Sequence, residues 1–111
     1  MKYNGDAENT GNKRMLTGKQ RRFLRAMGTG LEPIIHIGKA GLINPVIQQL
    51  DEALEARELV KVRVIANSPV KPKDIGSEMA EAARAEMVQA IGRNLLFYRR
   101  SITKPVLELP S

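Results

Sequence analysis

Apolar residues recur along the chain at two spacings, one typical of helices and one typical of strands. Near the start, four apolar residues fall on one side of a helix when successive residues are placed 100° apart. They are Leu16, Phe23, Leu24 and Met27. Thr17 and Gln20 form a capping-box pattern that predicts where this helix begins, and Gly28 and Gly30 predict that it ends after about residue 27. Phe23 is therefore expected in the core.

Two segments have the composition of strands, and each precedes a helix-start signal. Residues 33–37 are short, apolar and rich in β-branched side chains, which favours a largely buried strand. Between residues 59 and 66, three valines alternate with Lys61 and Arg63, which predicts a strand with one apolar and one basic face. After the first strand, Asn44 and Pro45 suit the N-cap and first position of a helix that ends around residue 57.

The last third of the chain predicts a helix, a hairpin and an irregular end. Asp74 is expected to cap a third helix that runs to about residue 84 or 86. Segments 87–91 and 95–99 read as two strands joined by a turn at 92–94, and residues 103–110 are expected to dock without regular structure. The predicted order is helix–strand–helix–strand–helix–strand–strand, an α+β fold whose sheet is mixed and covered by helices.

Composition narrows the classes of function. The chain has 111 residues, which fits one domain, and residues 1–15 have the polar composition of a flexible N-terminal tail. It has no cysteine and one histidine, which excludes disulfides, cysteine-ligated metals and thiol nucleophiles and makes a Ser–His–Asp mechanism improbable. We therefore expect no catalytic residues, no metal and no cofactor. No apolar run is long enough to span a bilayer and the opening residues lack an apolar core, so we expect a cytoplasmic protein.

Charge is segregated along the chain. Residues 44–58 and 74–86 each carry a net charge of −3, whereas the whole chain carries +6, so the remainder carries +12. This division predicts one acidic and one basic surface. Basic surfaces usually bind phosphate-rich partners, although a solvated face that serves only solubility has the same composition.

The loop Gly38-Lys39-Ala40-Gly41 is the most specific local signal. Two glycines three residues apart let a turn present backbone N–H groups, Lys39 adds a cation, and the helix predicted from Asn44 directs its positive end to the same region. The GXXG loop of KH domains clamps nucleotides by the same principle. Alone, such a match is more often an ordinary turn, and the patterns of triphosphate and dinucleotide loops are absent.

Four motifs occur in the order found in one known family. They are Leu16-Thr17-Gly18-Lys19-Gln20; Pro33 to Ile37 followed by Gly38-Lys39-Ala40-Gly41-Leu42; Glu58-Leu59-Val60-Lys61-Val62; and Ile91-Gly92-Arg93-Asn94-Leu95 with Phe97-Tyr98-Arg99. This pattern resembles the CRM domain, named for chloroplast RNA splicing and ribosome maturation, in its stand-alone bacterial form, the YhbY family. The resemblance runs from about residue 15 to residue 110, so we interpret residues 16–111 as a CRM-like domain. The tail and the loop at 67–73, with two prolines and two lysines, depart from the family pattern.

The resemblance implies a fold and a function. The fold would be a two-layer sandwich with a mixed four-stranded sheet, similar to the C-terminal domain of bacterial translation initiation factor three. The activity would be RNA binding without catalysis, and the bacterial members are associated with precursors of the large ribosomal subunit. RNA, most simply large-subunit ribosomal RNA or its precursor particle, is thus the expected partner of a monomer, with no membrane and no small-molecule substrate.

We predict an RNA-binding surface from the basic residues and the glycine loop. Its members are Lys19, Arg21, Arg22, Arg25, Gly38, Lys39, Ala40, Gly41, Lys61, Arg63, Arg93, Arg99 and Arg100. Each of these cations could equally belong to a solvated or structural position. Phe97 and Tyr98 could stack on bases, but with so few aromatic residues they are more simply explained as core.

Three other functions remain open at this point. The acidic helices could dock on a ribosomal protein or an assembly GTPase. A hydrolase or transferase lacks support, because the sequence offers no paired carboxylates or nucleophile with a base. Adsorption to an anionic membrane through the first helix is disfavoured, since the apolar side of that helix is needed to close the domain.

Overall fold

The computed structural model describes residues 16–111, and the predicted tail at 1–15 lies outside this range. Three helices and four strands follow one another in the predicted order. The helices are α1 (Gly18–Thr29), α2 (Asn44–Arg57) and α3 (Pro72–Ala82). The strands are β1 (Ile35–Ile37), β2 (Leu59–Val64), β3 (Glu86–Ile91) and β4 (Asn94–Tyr98).

The four strands form one mixed sheet in the spatial order β1-β2-β4-β3. β1 and β2 are parallel, with His36 opposite Arg63, and α2 makes the crossover between them. The other two pairs are antiparallel, and β3 and β4 form the predicted hairpin with a bulge between Met87 and Gln89. The α+β class and the mixed four-stranded sheet are confirmed.

The main core lies on one face of the sheet, beneath α2 and α3. The alternation of β2 places Val60, Val62 and Val64 on this face, and all three are buried. Leu95 and Phe97 of β4 extend the same face, and the helices contribute a further set of buried residues. That set is Val46, Leu50, Leu54, Ile75, Met79 and Ala83. The core prediction for Phe97 is confirmed.

α1 covers the opposite face, so the fold has three layers rather than the predicted two. Leu24 packs with Leu59, Leu96 and Tyr98, which alternate with the main-core residues along β2 and β4. Gly28 lies against Leu96 so closely that an added Cβ would collide with the leucine side chain. A helix on each face follows because β2 and β4 carry apolar residues on both of their faces.

Helix starts differ in part from the prediction. The capping box of α1 is confirmed, since Thr17 Oγ1 accepts a hydrogen bond from the Gln20 N–H at 3.0 Å. The N-cap of α2 is Ile43 rather than Asn44, and α3 begins at Pro72, so Asp74 lies in its first turn instead of capping it. The first turns of α2 and α3 thus receive no side-chain cap.

The chain beyond β4 is an extended segment held by two glutamates at the end of α2. Glu58 is fully buried and accepts hydrogen bonds from the N–H groups of Ser101, Val106 and Leu107 at 2.7, 2.9 and 2.7 Å. Leu107 packs against the cluster of buried residues beneath α1 that contains Leu24 and Leu96. The predicted docking of this irregular end is confirmed, and the anchors are carboxylates as well as apolar side chains.

Candidate functional site

The carboxyl ends of the parallel strands β1 and β2 lie side by side, and a loop leaves each of them. Residues 38–43 connect β1 to α2, and residues 65–71 connect β2 to α3. The two loops touch, since a Cβ built on Gly41 would lie 3.5 Å from Val70. Each loop leads into a helix without a side-chain cap, so two helix N-termini open at this edge. We call these two loops, the first turns of α2 and α3 and the β3–β4 turn the loop edge.

Gly41 gives the glycine loop its shape. Its φ is +73°, a left-handed conformation that glycine adopts without the steric cost of a side chain, and its N–H donates to the Gly38 carbonyl at 3.1 Å. The turn leaves Lys39 and Ala40 exposed at the tip while Gly41 is buried. Lys39 and Ala40 are therefore accessible to a ligand just before the start of α2.

Cations surround this edge. Arg93 lies in the β3–β4 turn beside the end of β2, since its carbonyl accepts the Val64 N–H at 2.8 Å and its Nη1 donates to the Ile65 carbonyl at 3.3 Å. Lys71 and Lys73 flank the start of α3, and both are exposed. Within residues 16–111, no carboxylate forms an ion pair with Lys39, Lys71, Lys73 or Arg93. The edge is thus a positive surface whose four cations form no ion pair among these residues, and Asp74 in the first turn of α3 is its one acidic residue.

Lys71 and Lys73 were absent from the residues predicted from the sequence. The position of their loop beside the glycine loop depends on β1 and β2 being parallel, which the residues of the loop itself do not reveal. The signal that could have identified them is topological. A strand–helix–strand unit places the loops after both strands at one edge, which is where open α/β sheets usually bind ligands.

The cations of α1 divide into two groups. Lys19 and Arg22 are exposed and Arg25 is half-buried. Arg21 instead holds the edge strand β3, because its guanidinium donates to the carbonyls of Met87 and Val88 at 3.1 and 3.3 Å and pairs with Glu86 at 3.3 Å. Arg21 therefore has a structural role and few donors left for a ligand.

The face of the sheet that carries α1 also holds Lys61 and Arg63. Lys61 is half-buried and Arg63 is exposed, because they alternate along β2 with the buried valines and so lie on the other face. Arg63 lies next to the loop edge, since it pairs with Asn94 at the base of the β3–β4 turn. This basic face and the loop edge are therefore adjacent.

Arg99 and Arg100 lie at the other end of the sheet, away from the loop edge. The Arg99 guanidinium donates to Asp51 Oδ1 and to the Ala83 carbonyl, both at 2.7 Å, and its side chain is 16% exposed. Arg100 is exposed, and it lines a cavity of about 420 Å³ together with Arg84 and Tyr98. The structure thus does not unite these two arginines with the other predicted residues.

The acidic surface predicted on α2 serves the chain itself. Glu55 accepts hydrogen bonds from the Thr103 hydroxyl at 2.7 Å and from the N–H groups of Ile102 and Thr103 at 3.0 Å. These bonds lower the pKa of Glu55 from 4.5 to about 2. Burial alone would raise the pKa of Glu58, but the N–H donors of Ser101, Leu107 and Val106 outweigh it and lower that pKa. With Asp51 on Arg99, three of the four acidic residues at 44–58 hold Arg99 or the C-terminal segment, and the fourth, Glu52, accepts the Gln48 side-chain amide at 3.3 Å.

Neither a metal site nor a membrane span is found in the part of the chain that the structure describes. Residues 16–111 contain no group of three histidine, aspartate or glutamate side chains placed to hold a metal ion. Within the same range, every helix is too short or too polar to cross a bilayer.

Comparison with known proteins agrees with this architecture. The sequence model of the CRS1/YhbY (CRM) domain matches residues 16–99. The fold and the glycine loop define a small α+β domain of that class, and the chain belongs to the CRM domain family. This finding confirms the resemblance described above.

Several relatives carry names that refer to RNA. The chain is 43% identical over 96 residues to the "Probable RNA-binding protein YqeI" of Bacillus subtilis, covering 86% of this chain and all of that protein. It is 37% identical over 89 residues to a probable RNA-binding protein of Methanocaldococcus jannaschii, covering 78% of this chain and 66% of that protein. The solution structure of a hypothetical Staphylococcus aureus protein, described as a candidate RNA-binding protein, superimposes with a TM-score of 0.72 at 44% identity, covering 86% of this chain and all of that one.

Proposed function

We propose that this protein binds structured ribosomal RNA or a pre-ribosomal particle and acts, without catalysis, in assembly of the large ribosomal subunit. The observation that carries the proposal is the loop edge, where two uncapped helix N-termini meet the lysines of two adjoining loops. The names of the relatives support RNA as the partner. In this proposal the protein acts as a cytoplasmic monomer and requires no cofactor.

The loop edge suits phosphate groups for three physical reasons. Pro45 and Pro72 carry no N–H, and the Val46 N–H donates to the Ile43 carbonyl at 2.9 Å. The first turns of α2 and α3 therefore leave the N–H groups of Asn44, Lys73 and Asp74 without an intrahelical partner, and the helix dipoles place partial positive charge there. Lys39, Lys71, Lys73 and Arg93 add full charges that form no ion pair with a carboxylate of residues 16–111. Asp74 is the one acidic residue at this edge, so a net positive charge remains. Contacts of this kind read the backbone and shape of a folded RNA more than its base sequence.

Affinity should therefore depend steeply on salt. If about five phosphates are neutralised, log affinity falls against log salt with a slope of roughly −3.5 to −4.5. Binding to large-subunit ribosomal RNA fragments across a salt series measures this slope. An affinity that did not change with salt would contradict phosphate contact as the main source of binding.

Charge reversal at the loop edge supplies the sharper test. Lys39→Glu with Lys73→Glu removes two phosphate contacts, so the slope should become shallower by roughly 1.4 to 1.8 and the affinity should fall at least about tenfold. The matched control is Arg57→Glu with Lys104→Glu, which changes net charge equally at exposed positions away from this edge. Equal losses in both variants would show a general charge effect and refute a specific loop-edge site.

The assignment to the large subunit is tested separately. Fragments of small-subunit ribosomal RNA, matched in length and folding, should compete at least about tenfold less well than large-subunit fragments, since a shape-reading surface distinguishes folded sites. In cells, the protein should sediment with precursors of the large subunit. Equal competition and sedimentation with neither particle would leave RNA binding intact but remove the assembly role.

Docking of a protein partner on α2, one of the two acidic helices, has less support from the structure than from the sequence. Glu55, Glu58 and Asp51 bind the C-terminal segment and Arg99, so α2 offers few carboxylates to a partner. Charge reversal at Glu55 would also release the C-terminal segment, and loss of function in that variant would not identify a docking surface.

A further inference from the structure

Apolar side chains are exposed along one flank of α1 and in the connection that follows it. Four residues share this property, with exposed fractions between 37% and 40%. They are Phe23, Met27, Leu31 and Ile34. Phe97 and Tyr98 are 0% and 8% exposed, so Phe23 is the exposed aromatic residue among those described. We call these four residues the apolar strip.

The phase of α1 explains why Phe23 is not in the core, as the sequence had predicted. Leu24 and Gly28 face the sheet, and Gly28 brings the helix close to Leu96. Phe23 precedes Leu24 by one residue, so it is rotated by about 100° from the buried line of the helix. The Phe23 side chain therefore lies on the flank of α1, outside the core.

The strip lies between α1 and the β1–β2 side of the sheet. Arg21 projects from the opposite flank of α1 and binds carbonyls of β3, so the flank with Phe23 and Met27 faces β2 and β1. The connection bearing Leu31 and Ile34 leads along this side to β1, and the Ile34 N–H donates to the Lys61 carbonyl at 3.0 Å.

The sheet beyond the strip is uncovered. α1 packs on Leu59, Leu96 and Tyr98, whereas His36 and Arg63 on the same face are exposed and paired in register. The uncovered area therefore runs from Phe23 to Arg63, next to the loop edge. It combines apolar side chains with a basic sheet surface.

Charge around this area identifies the class of partner. Lys19 and Arg22 of α1, with Lys61 and Arg63 of β2, border the strip with positive charge. Glu32 is the one acidic residue between positions 16 and 50. A partner that fits must bring flat apolar surfaces and dense negative charge together, and an unpaired RNA strand does so because its bases stack while its phosphates bind cations.

We propose that the apolar strip binds the bases of unpaired nucleotides, with Phe23 as the stacking platform and Lys61 and Arg63 on the flanking phosphates. The inference rests on the proposed function, because it assumes that RNA reaches the loop edge. It adds that the preferred RNA has a single-stranded stretch of a few nucleotides beside the folded element that the loop edge contacts.

The test compares three RNA probes of equal length, namely an unstructured single strand, a blunt duplex and a strand with abasic sites in place of its bases. Phe23→Ala should weaken binding of the single strand by about 5- to 160-fold, the range expected for loss of one base–aromatic stack. Binding of the duplex and of the abasic strand should change less than about twofold, and the salt slope should stay the same because no cation is lost. Ile102→Ala, which removes another exposed apolar side chain remote from the strip, is the control and should change none of the three.

Two further variants separate stacking from a role in the fold. Phe23→Leu preserves apolar packing, so it should keep stability yet fail to restore single-strand binding. Phe23→Trp should bind the single strand at least as well as the wild type. Since the chain has no tryptophan, its fluorescence should be quenched by the single strand and not by the abasic strand.

The outcomes also separate this inference from the proposed function. Wild-type protein that binds none of the probes and no ribosomal RNA fragment would refute both. Salt-dependent RNA binding that Phe23→Ala leaves unchanged, or reduces equally for the single and abasic strands, would overturn only the stacking inference. In that case the strip would belong to another occupant, such as an acidic protein surface.

Discussion

The two ends of the sheet both carry exposed loops, helix ends and arginine or lysine side chains, yet they differ in how their charges are used. At the end where β4 finishes, Arg99 is bound by Asp51 and by the Ala83 carbonyl, and the carboxylates of Glu55 and Glu58 are occupied by the C-terminal segment. At the loop edge, no carboxylate of residues 16–111 pairs with Lys39, Lys71 or Lys73. A cation therefore suggests binding only where the fold leaves it without an internal partner.

Among the substitutions that test this contrast, Glu58→Ala should have the largest effect on stability. Glu58→Ala removes a buried carboxylate that accepts three N–H groups and leaves the buried Ser101 N–H and two partly buried ones without it, so the free energy of unfolding should fall by about 3–5 kcal/mol. Urea denaturation measures the change, and Glu52→Ala, at an exposed position on α2, is the matched control. RNA affinity of the folded fraction should be kept, and its loss would contradict the division between the two ends.

The pH dependence of stability should come from the same end. The pKa of Glu55 is about 2 in the folded protein against 4.5 in the unfolded chain, and that of Glu58 is also lowered. The stabilisation from these groups is therefore fully present above about pH 4.5 and is lost as the pH falls towards 2. Denaturation between pH 2 and 7 should show this loss, and Glu55→Gln should reduce its slope. An unchanged slope in the variant would contradict the assigned role of the carboxylate.

Two arginine substitutions, one at each end of the sheet, compare the two ends directly. Arg99→Ala should lower the free energy of unfolding by about 2–3 kcal/mol, since charged hydrogen bonds are lost, with the salt slope for RNA unchanged. Arg93→Ala should alter stability by less than about 0.5 kcal/mol. It should make the slope shallower by roughly 0.7 to 0.9. If the salt slope for RNA became shallower in Arg99→Ala and stayed the same in Arg93→Ala, the RNA interface would lie at the end of the sheet where β4 finishes, contrary to the proposal.

The smallest effects should distinguish the two glycines of the loop. Gly41→Ala places a side chain at a φ of +73° and should cost about 1–2 kcal/mol, with weaker RNA binding because the turn is distorted. At Gly38 an added Cβ would meet Ile65 at 3.6 Å, an ordinary contact, so Gly38→Ala should cost less than about 0.5 kcal/mol. Thermal denaturation of the two variants measures these two costs. Equal costs would show that the conformation of Gly41 is not what requires glycine.

Local signals in the sequence predicted the elements well, because each rests on neighbouring residues. The alternation of Val60, Val62 and Val64 and the capping box at Thr17 are patterns of this kind, and both appear in the structure. The CRM resemblance added the class of the fold. Lys39 and Gly41 could be singled out for the same reason, since strand, loop and helix are contiguous in the chain.

Features that depend on distant residues were not predictable in this way. Arg21 and Arg99 were grouped with the binding cations because their partners, Glu86 and Asp51, are 65 and 48 residues away. The burial of Leu24 and the exposure of Phe23 depend on how closely Gly28 approaches Leu96, which a helical wheel does not contain. The role of Glu58 required knowing that residues 101–107 return to α2.

The hydrogen bond from Gln20 Nε2 to the Pro110 carbonyl, 3.0 Å long, joins the first turn of α1 to the last residues of the chain. Leu16 and Pro110 thus lie on the same side of the domain, at the end of the sheet where β3 begins and β4 ends. The two ends of the described domain therefore lie together at the end of the sheet opposite the loop edge. The domain therefore has the geometry of a closed unit, fastened where its two ends meet and presenting its glycine loop at the far end of the sheet.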